Sequence, residues 1–483
     1  MKHQFYSLIV LLLIFASCSS GSKKQLDKIT IQSQQLDSLF NFCYSNGMYN
    51  GAVIVTKNDS VIYKNSFGYA NEENKEKITP ESVFYIASVS KQFTSMGIMI
   101  LSEQGKLSFD DKIEDIFPNY PAYLKNITIR QLMTHTSGIT DTELYKLKDP
   151  SNDDVLESIM KGDSLELENG KTFRYSNTGY TLLAFVIEKV SGMPIEEFFE
   201  KEIFDPLNMR HTTTSIRRKQ NNMKTVIGYN WLGKNGGYNS TVVGGGGIYS
   251  TINDLQKYNK ALNTNKLVTK NTLNKAFTNG QLSDQESDGY GFGWSLREKD
   301  NKKYVQHDGY VPGYRSFIKK NLTDGYDYIF LTNHGDKLPM NELISSIDSV
   351  LEQSKYVRPK NRVVNKISHE LKVNGSSNLC QNIKDEIIKN KDHYTIDENR
   401  INLLGYMYLR DNQTNIAIEI FKLNTYLHPN SANVWDSLGE GYYENGQFEL
   451  SKENYQKTLE MNPDNDNARV VIERIEKGQT KNS

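Results

Sequence analysis

The run from about Ser88 to Gln104 is apolar on nearly every side. Phe93, Met96, Ile98, Met99, Ile100 and Leu101 leave no continuous polar stripe along its middle. A helix of that kind has no face to offer to water, so it is expected to lie buried in a core. Gly105 supplies the stop. The chain has 483 residues, more than one hydrophobic core normally holds, so two or more domains are expected.

The surrounding pattern alternates between helix and strand. Residues near 30 to 45 read as a helix, with Ile31, Leu36, Leu39 and Phe40 apolar. Gly51 to Val55 and Val61 to Tyr63 read as two strands joined by the Asn58-Asp59 turn. Ile127 to Met133 runs into Thr134-His135-Thr136-Ser137-Gly138, and a second apolar helix spans roughly Gly179 to Val190. Tyr304 to Gln306, Tyr314 to Ile318 and Tyr328 to Leu331 read as late strands. This order gives an α/β (α+β) class, with one mixed sheet flanked by helices.

Lys plus Arg number 57 and Asp plus Glu 58, so a net charge of -1 gives no general pull towards nucleic acid or acidic lipid. The amino terminus is a targeting segment. Lys2 and His3 precede an apolar stretch, Tyr6 to Ala16, too short to span a bilayer as a mature helix. It ends Ala16-Ser17-Cys18 and resembles a bacterial lipoprotein signal, although Phe15 stands where an aliphatic residue is usual. Residues 1–18 are thus expected to be a signal peptide, with lipid on Cys18 holding the chain to a membrane and residues 19–29 as a tether. The alternative is an ordinary secretory signal with an incidental cysteine. Cys43 and Cys380 show no paired spacing and read as structural thiols. The eight histidines show no metal-ligand spacing, so no metal is expected.

Chemistry is concentrated in three short patterns. Ser88 and Lys91 stand at i and i+3, on one face of a helix. At the start of the buried helix, Ser88 lies where the dipole favours a developing oxyanion. A serine hydroxyl is a poor nucleophile until a neighbouring base takes its proton. A desolvated Lys91 can be that base, or can act as a cation lowering the pKa of a phenol. Tyr175 and Asn177 lie just before the second apolar helix. Tyr175 is a plausible base near a cation, and Asn177 can hydrogen-bond both Lys91 and a substrate carbonyl. His307-Asp308-Gly309 follows a strand and reads as a turn. There His307 holds substrate or assists Tyr175, and Gly309 lets backbone pass close to a ligand. The Tyr310 N–H joins that of Ser88 as an oxyanion hole. Alone, each pattern is weak: Ser20 and Lys23 also fit Ser-x-x-Lys, and Tyr44-Ser45-Asn46 also fits Tyr-x-Asn.

As an ordered set these residues resemble the serine β-lactamase and penicillin-binding-protein superfamily. The Tyr-x-Asn and His-x-Gly forms are most similar to class C β-lactamases and their relatives, the β-lactamase-like esterases and D-aminopeptidases. Thr134 to Ile139, Gly245 to Ser250 and Pro312-Gly313-Tyr314 add to the likeness, which covers roughly residues 30 to 350. The resemblance implies a β-lactamase/transpeptidase-like hydrolase domain, placed at 30–354, that needs no cofactor. One departure bears on substrate. The third element usually carries a lysine, which grips the carboxylate of a lactam or peptide, and here it begins with His307. This puts lactam hydrolysis in doubt and favours ester or peptide-like substrates. Arg315 is a candidate to restore the positive group.

Gly244 to Gly247 lacks the Lys-Ser or Lys-Thr of a phosphate loop and reads as a tight backbone passage before a helix at Asn253, with Thr251 as cap and Asp254 in the first turn. Residues 355–390, rich in Lys, Asn and Ser, read as a linker. Beyond it, in 391–483, Gly405, Tyr408 and Pro429 recur 34 residues later as Gly439, Tyr442 and Pro463. That period resembles a tetratricopeptide repeat, an all-α domain whose concave face takes a protein partner.

The expectation is a lipid-anchored serine hydrolase of the bacterial envelope. It forms an acyl-enzyme on a small-molecule or peptide ester, amide or lactam, with no nucleic acid partner. The rival is a non-catalytic envelope adaptor that uses the hydrolase-like fold and the repeats for protein or peptidoglycan binding.

Overall fold

The computed structural model describes residues 27–143, 146–147, 149–236, 238, 240–280 and 289–478. The expected signal, Cys18 and the tether up to residue 26 lie outside the described residues. Among the described residues, no helix is long and apolar enough to cross a membrane.

The chain divides into two compact units. The first takes in Asn50–Tyr229 and Asn235–Asp336, and the second takes in Leu39–Tyr49, Asn230–Lys234 and the chain from Lys337 onward. The boundary expected near 354 therefore falls earlier, because the helix Met340–Glu352 belongs with the second unit.

The first unit is built on a six-stranded sheet. Its strands are β1 (Gly51–Lys57), β2 (Ser60–Phe67), β3 (Ser295–Lys299), β4 (Lys302–Val311), β5 (Tyr314–Asn321) and β6 (Tyr326–Thr332), in the order β2-β1-β6-β5-β4-β3. Where the expectation was a mixed sheet, all five ladders are antiparallel. Tight turns join β1 to β2 and β3 through β6 in succession, and a tight turn can join only antiparallel neighbours. Asn58 and Asp59 both take positive φ, as a two-residue hairpin turn requires.

The expected buried helix is α1, Lys91–Glu103, entered through the tight turn Ala87–Ser90. Every residue from Lys91 to Leu101 is buried. The second apolar helix, α2, spans Asn177–Ser191. The two pack closely: a Cβ on Gly97 of α1 would stand 2.9 Å from Ile187 of α2. Phe93 stacks on Tyr258 at 4.3 Å between ring centres. Full burial of side chains such as Phe93, Ile98 and Leu101 contributes about 1.5–3 kcal/mol each. A third helix, α3 (Ile252–Ala261), starts one residue before the expected place, with Thr251 Oγ1 accepting from the Asp254 N–H.

In the second unit the expected linker is instead two helices, α4 (Val363–Asn374) and α5 (Leu379–Lys389). Val363, Val364 and Ile367, with Leu379, Cys380, Ile383 and Ile387, are buried in one cluster with Ile401, Leu404 and Phe421. These apolar residues recur at helical spacing, and the lysines that suggested a linker lie towards the outer faces, while Asn361 and Asn365 are buried. Five helices follow: α6 (Glu398–Arg410), α7 (Thr414–Leu427), α8 (Ala432–Glu444), α9 (Phe448–Met461) and α10 (Asp466–Glu476). The 34-residue period has a packing cause. A Cβ on Gly405 would meet the Phe421 ring at 2.3 Å, and one on Gly439 would meet the Tyr455 ring at 3.1 Å. Each glycine thus lets an aromatic ring of the next helix approach the backbone of the first.

Candidate active site

Ser88 sits where three parts of the first unit meet. The chain reaches it through Ala87, whose φ of +47° lies in a region that side-chain-bearing residues seldom occupy. Neighbouring strands pin the segment. The Ile86 N–H donates to the Ile248 carbonyl at 3.0 Å, and the Ser316 hydroxyl donates to the Ile86 carbonyl at 2.6 Å. Gly309 of β4 lies against this bend: a Cβ there would stand 2.3 Å from the Ile86 carbonyl oxygen and 2.9 Å from the Ser88 nitrogen. The glycine therefore serves the approach of strand to nucleophile turn, where the sequence suggested an approach to ligand.

Lys91, one turn along from Ser88, is wholly buried. Its Nζ lies 2.6 Å from the Gly245 carbonyl oxygen, 2.7 Å from Asn177 Oδ1 and 3.2 Å from Ser88 Oγ. Burial lowers its pKa to about 7, against the raising charges of Asp141 and Asp308. A neutral lysine has two N–H groups and one lone pair. As an ammonium Lys91 donates to all three oxygens; once neutral, with its two N–H groups kept on Gly245 and Asn177, its lone pair would face the Ser88 hydroxyl.

Burial pushes the Tyr175 phenol well above the ordinary range, against a smaller lowering by the Ser88 side chain beside it. In this geometry Tyr175 is a neutral phenol, and Lys91 is the group whose pKa suits a base. The Tyr175 ring packs 4.2 Å from that of His135, whose Nδ1 accepts from the Ser176 N–H at 3.1 Å. Burial keeps His135 neutral. Asn177 is the first residue of α2, and Ser176 caps the helix by accepting from the Gly179 N–H at 3.0 Å.

His307 lies inside strand β4, which runs on to Val311, rather than in the expected turn. The turn falls instead at Pro312-Gly313, with Gly313 at φ +87°. The His307 ring is buried and committed to its neighbours: Nδ1 donates to the Asp308 carbonyl at 2.6 Å, and Nε2 accepts from the Tyr290 hydroxyl at 2.9 Å. Burial first, and the nearby Lys91 charge second, keep it neutral. Both ring nitrogens are occupied in this structure, one by Tyr290 and one by its own strand, while the ring lines the cavity beside Ser88. Arg315 stacks on the Tyr310 ring at 4.8 Å and stands 4.0 Å from Asp308.

Two cavities open beside Ser88. One of about 390 Å³ is lined by Tyr85, Asp141, Tyr238 and Gly246, among others. The other, of about 640 Å³, is lined by Phe173, Tyr290, Arg297 and Asp308, among others. Ser88, Asn177 and Tyr310 line both, so Ser88 lies between two halves of a cleft.

The structure thus gathers Ser88, Lys91, Tyr175, Asn177, His307, Gly309 and Tyr310 in one place. Sequence reasoning missed Asp141, Tyr290 and the Gly245 carbonyl. His135 and Gly245 fell in stretches marked only for their likeness to other proteins. No metal-binding group of three or more His, Cys, Asp or Glu side chains occurs among the described residues. Cys43 and Cys380 are buried free thiols, and burial pushes Cys43 up to about 12.

Residues 32–343 match the family model described as Beta-lactamase. A penicillin-binding protein of Bacillus subtilis (strain 168) is 31% identical over 324 residues, covering 62% of this chain and 71% of that protein. Protein flp of Staphylococcus aureus (strain MW2) is 29% identical over 322 residues, covering 62% of this chain and 63% of flp. Among solved structures, the octameric penicillin-binding protein homologue from Pyrococcus abyssi matches with a TM-score of 0.60 and 26% identity, over 66% of this chain and 77% of that one.

Proposed function

This chain belongs to the Beta-lactamase family, and from that premise we propose that it is a serine hydrolase working through an acyl-enzyme on Ser88. The observation that carries the proposal is the placement of Lys91 Nζ, 3.2 Å from Ser88 Oγ with its other two contacts on acceptors. Lys91 takes the Ser88 proton as Oγ attacks a carbonyl carbon. The negative charge on the carbonyl oxygen is met by the Ser88 and Tyr310 amides. The tetrahedral intermediate collapses, and the leaving group departs with a proton from Lys91 or through the Tyr175 phenol. Water then attacks the Ser88 ester and gives a proton to Lys91, which passes it to Ser88 Oγ as the acid leaves, restoring the serine and the neutral lysine.

The substrate class is an ester or an amide of a D-amino-acid peptide. His307 stands where a lactam- or carboxylate-binding lysine is usual, and its ring is already bonded on both sides. The chain is further proposed to be held at the bacterial envelope by lipid on Cys18, with a protein partner on the repeat-like helices α6 to α9.

The test is intact-protein mass spectrometry of residues 19–483 with a fluorophosphonate, a penicillin and an activated short-chain ester, beside Ser88→Ala. An adduct that depends on Ser88 supports the proposal, and the reagent that turns over separates ester from lactam chemistry. No adduct in folded protein moves the weight to a non-catalytic adaptor. For the anchor, Cys18→Ala is expected to abolish labelling with radioactive palmitate in a bacterial host.

A further inference from the structure

We infer that Asp141 is a positioning residue for this reaction: it fixes which end of the Asn177 amide meets Lys91 and sets the charge against which that base works. The inference rests on the acyl-enzyme reading above. Asp141 stands 36 residues before Asn177 and takes three donors from the start of α2. Its Oδ1 accepts from the Ser176 hydroxyl at 2.8 Å and from the Thr178 N–H at 3.0 Å, and its Oδ2 accepts from Asn177 Nδ2 at 3.1 Å.

An asparagine amide carries donors on one side and an acceptor on the other. With Nδ2 held by Asp141, Oδ1 must face Lys91, where it lies 2.7 Å from Nζ. A flipped amide would set NH₂ against the amine and remove an acceptor that keeps the lysine lone pair on Ser88. A carboxyl group at 141 offers two accepting oxygens to these three donors, where an amide offers one.

The charges around Lys91 are few. Asp141 and Asp308 act on it as anions, His135 and His307 are neutral, and Tyr175, Tyr180 and Tyr290 are phenols held protonated by burial. Asp308 has Arg315 at 4.0 Å, whereas Asp141 has no ion-pair partner among the described residues. Asp141 is therefore the less compensated of the two anions.

The experiment is a ¹³C-lysine NMR titration of the Lys91 ε-carbon, assigned by its loss in Lys91→Met. It is run beside the pH profile of Ser88 acylation by an activated short-chain ester. Asp141→Asn removes an anion that raises the Lys91 pKa, so its midpoint is expected to fall by about half a unit or more. The acid limb of acylation should move to lower pH with it. Acylation above the midpoint should slow about tenfold, because the substituted amide presents NH₂ to the NH₂ of Asn177.

The swap Asp141→Asn with Asn177→Asp restores the donor–acceptor order and moves the charge onto the side chain that touches Lys91. Its midpoint is expected above that of the wild type, with acylation partly recovered at high pH. A folded Asp141→Asn protein with an unchanged Lys91 midpoint overturns the inference, as does a swap that behaves like the single variant. If wild-type Ser88 never acylates, the hydrolase reading falls, and the two NMR midpoints still decide whether Asp141 governs Lys91.

Discussion

A lysine with no exposed surface and a pKa near 7 makes two measurable demands at the scale of the residue. In the proposed mechanism the neutral amine is the base, so acylation should rise with pH through about 7 and level off above it, with Lys91→Met lowering the rate by about a hundredfold or more. The same shift is a stability statement. Lys91 has a folded pKa below its unfolded value, so between those values the unfolded chain binds more protons and stability rises with pH. Paired urea melts should therefore show the wild type gaining on Lys91→Met from about pH 7 towards pH 10, with no such gain if Lys91 titrates as an ordinary lysine. Ser88, Lys91, Tyr175 and Asn177 were legible in the sequence because their types and spacings suit one reaction. Asp141 was not, because its role arises only when a loop packs on a helix start 36 residues away. Tyr290 was hidden for a similar reason: nothing near it in the chain announces that it faces a histidine across the sheet edge.

At the scale of the element, the hairpin and the buried helices were legible because period and turn chemistry are local signals. The extent of β4 was not. His307-Asp308-Gly309 reads as a turn by composition, but a glycine inside a strand also marks close backbone approach, and the 2.3 Å clash at Gly309 shows which meaning holds. Gly309→Ala is expected to destabilise the first unit by about 1–3 kcal/mol through that overlap and to cut Ser88 labelling. Retained stability together with retained labelling would contradict this account of the glycine. The stretch 355–390 was misread because composition was weighed above spacing. Ile383 and Ile367 are fully buried, so Ile383→Ala should cost about 2–5 kcal/mol in the melt of the helical unit. A true linker would lose nothing.

At the scale of the whole molecule, the groups that act on one nitrogen come from Ser88, Asp141, Tyr175, Asn177, Gly245 and the strand at His307. They are drawn from separate stretches of the chain and meet only in the folded unit. In urea, Lys91 returns to water and its pKa returns to the ordinary range, so fluorophosphonate labelling of Ser88 should vanish along the same curve as the sheet's circular dichroism. Labelling that outlasts the sheet would place the activation in local sequence alone.

The bend at Ala87 and the strand that closes over it carry one more consequence, concerning time. Gly309 is made more than two hundred residues after Ser88, so during synthesis the chain carries its nucleophile long before it carries the strand that shapes it. On the proposed mechanism, reactivity at Ser88 arrives only after that strand is made. An unfinished chain would then hold a chemically ordinary serine and need no inhibitor to keep it harmless until folding is complete.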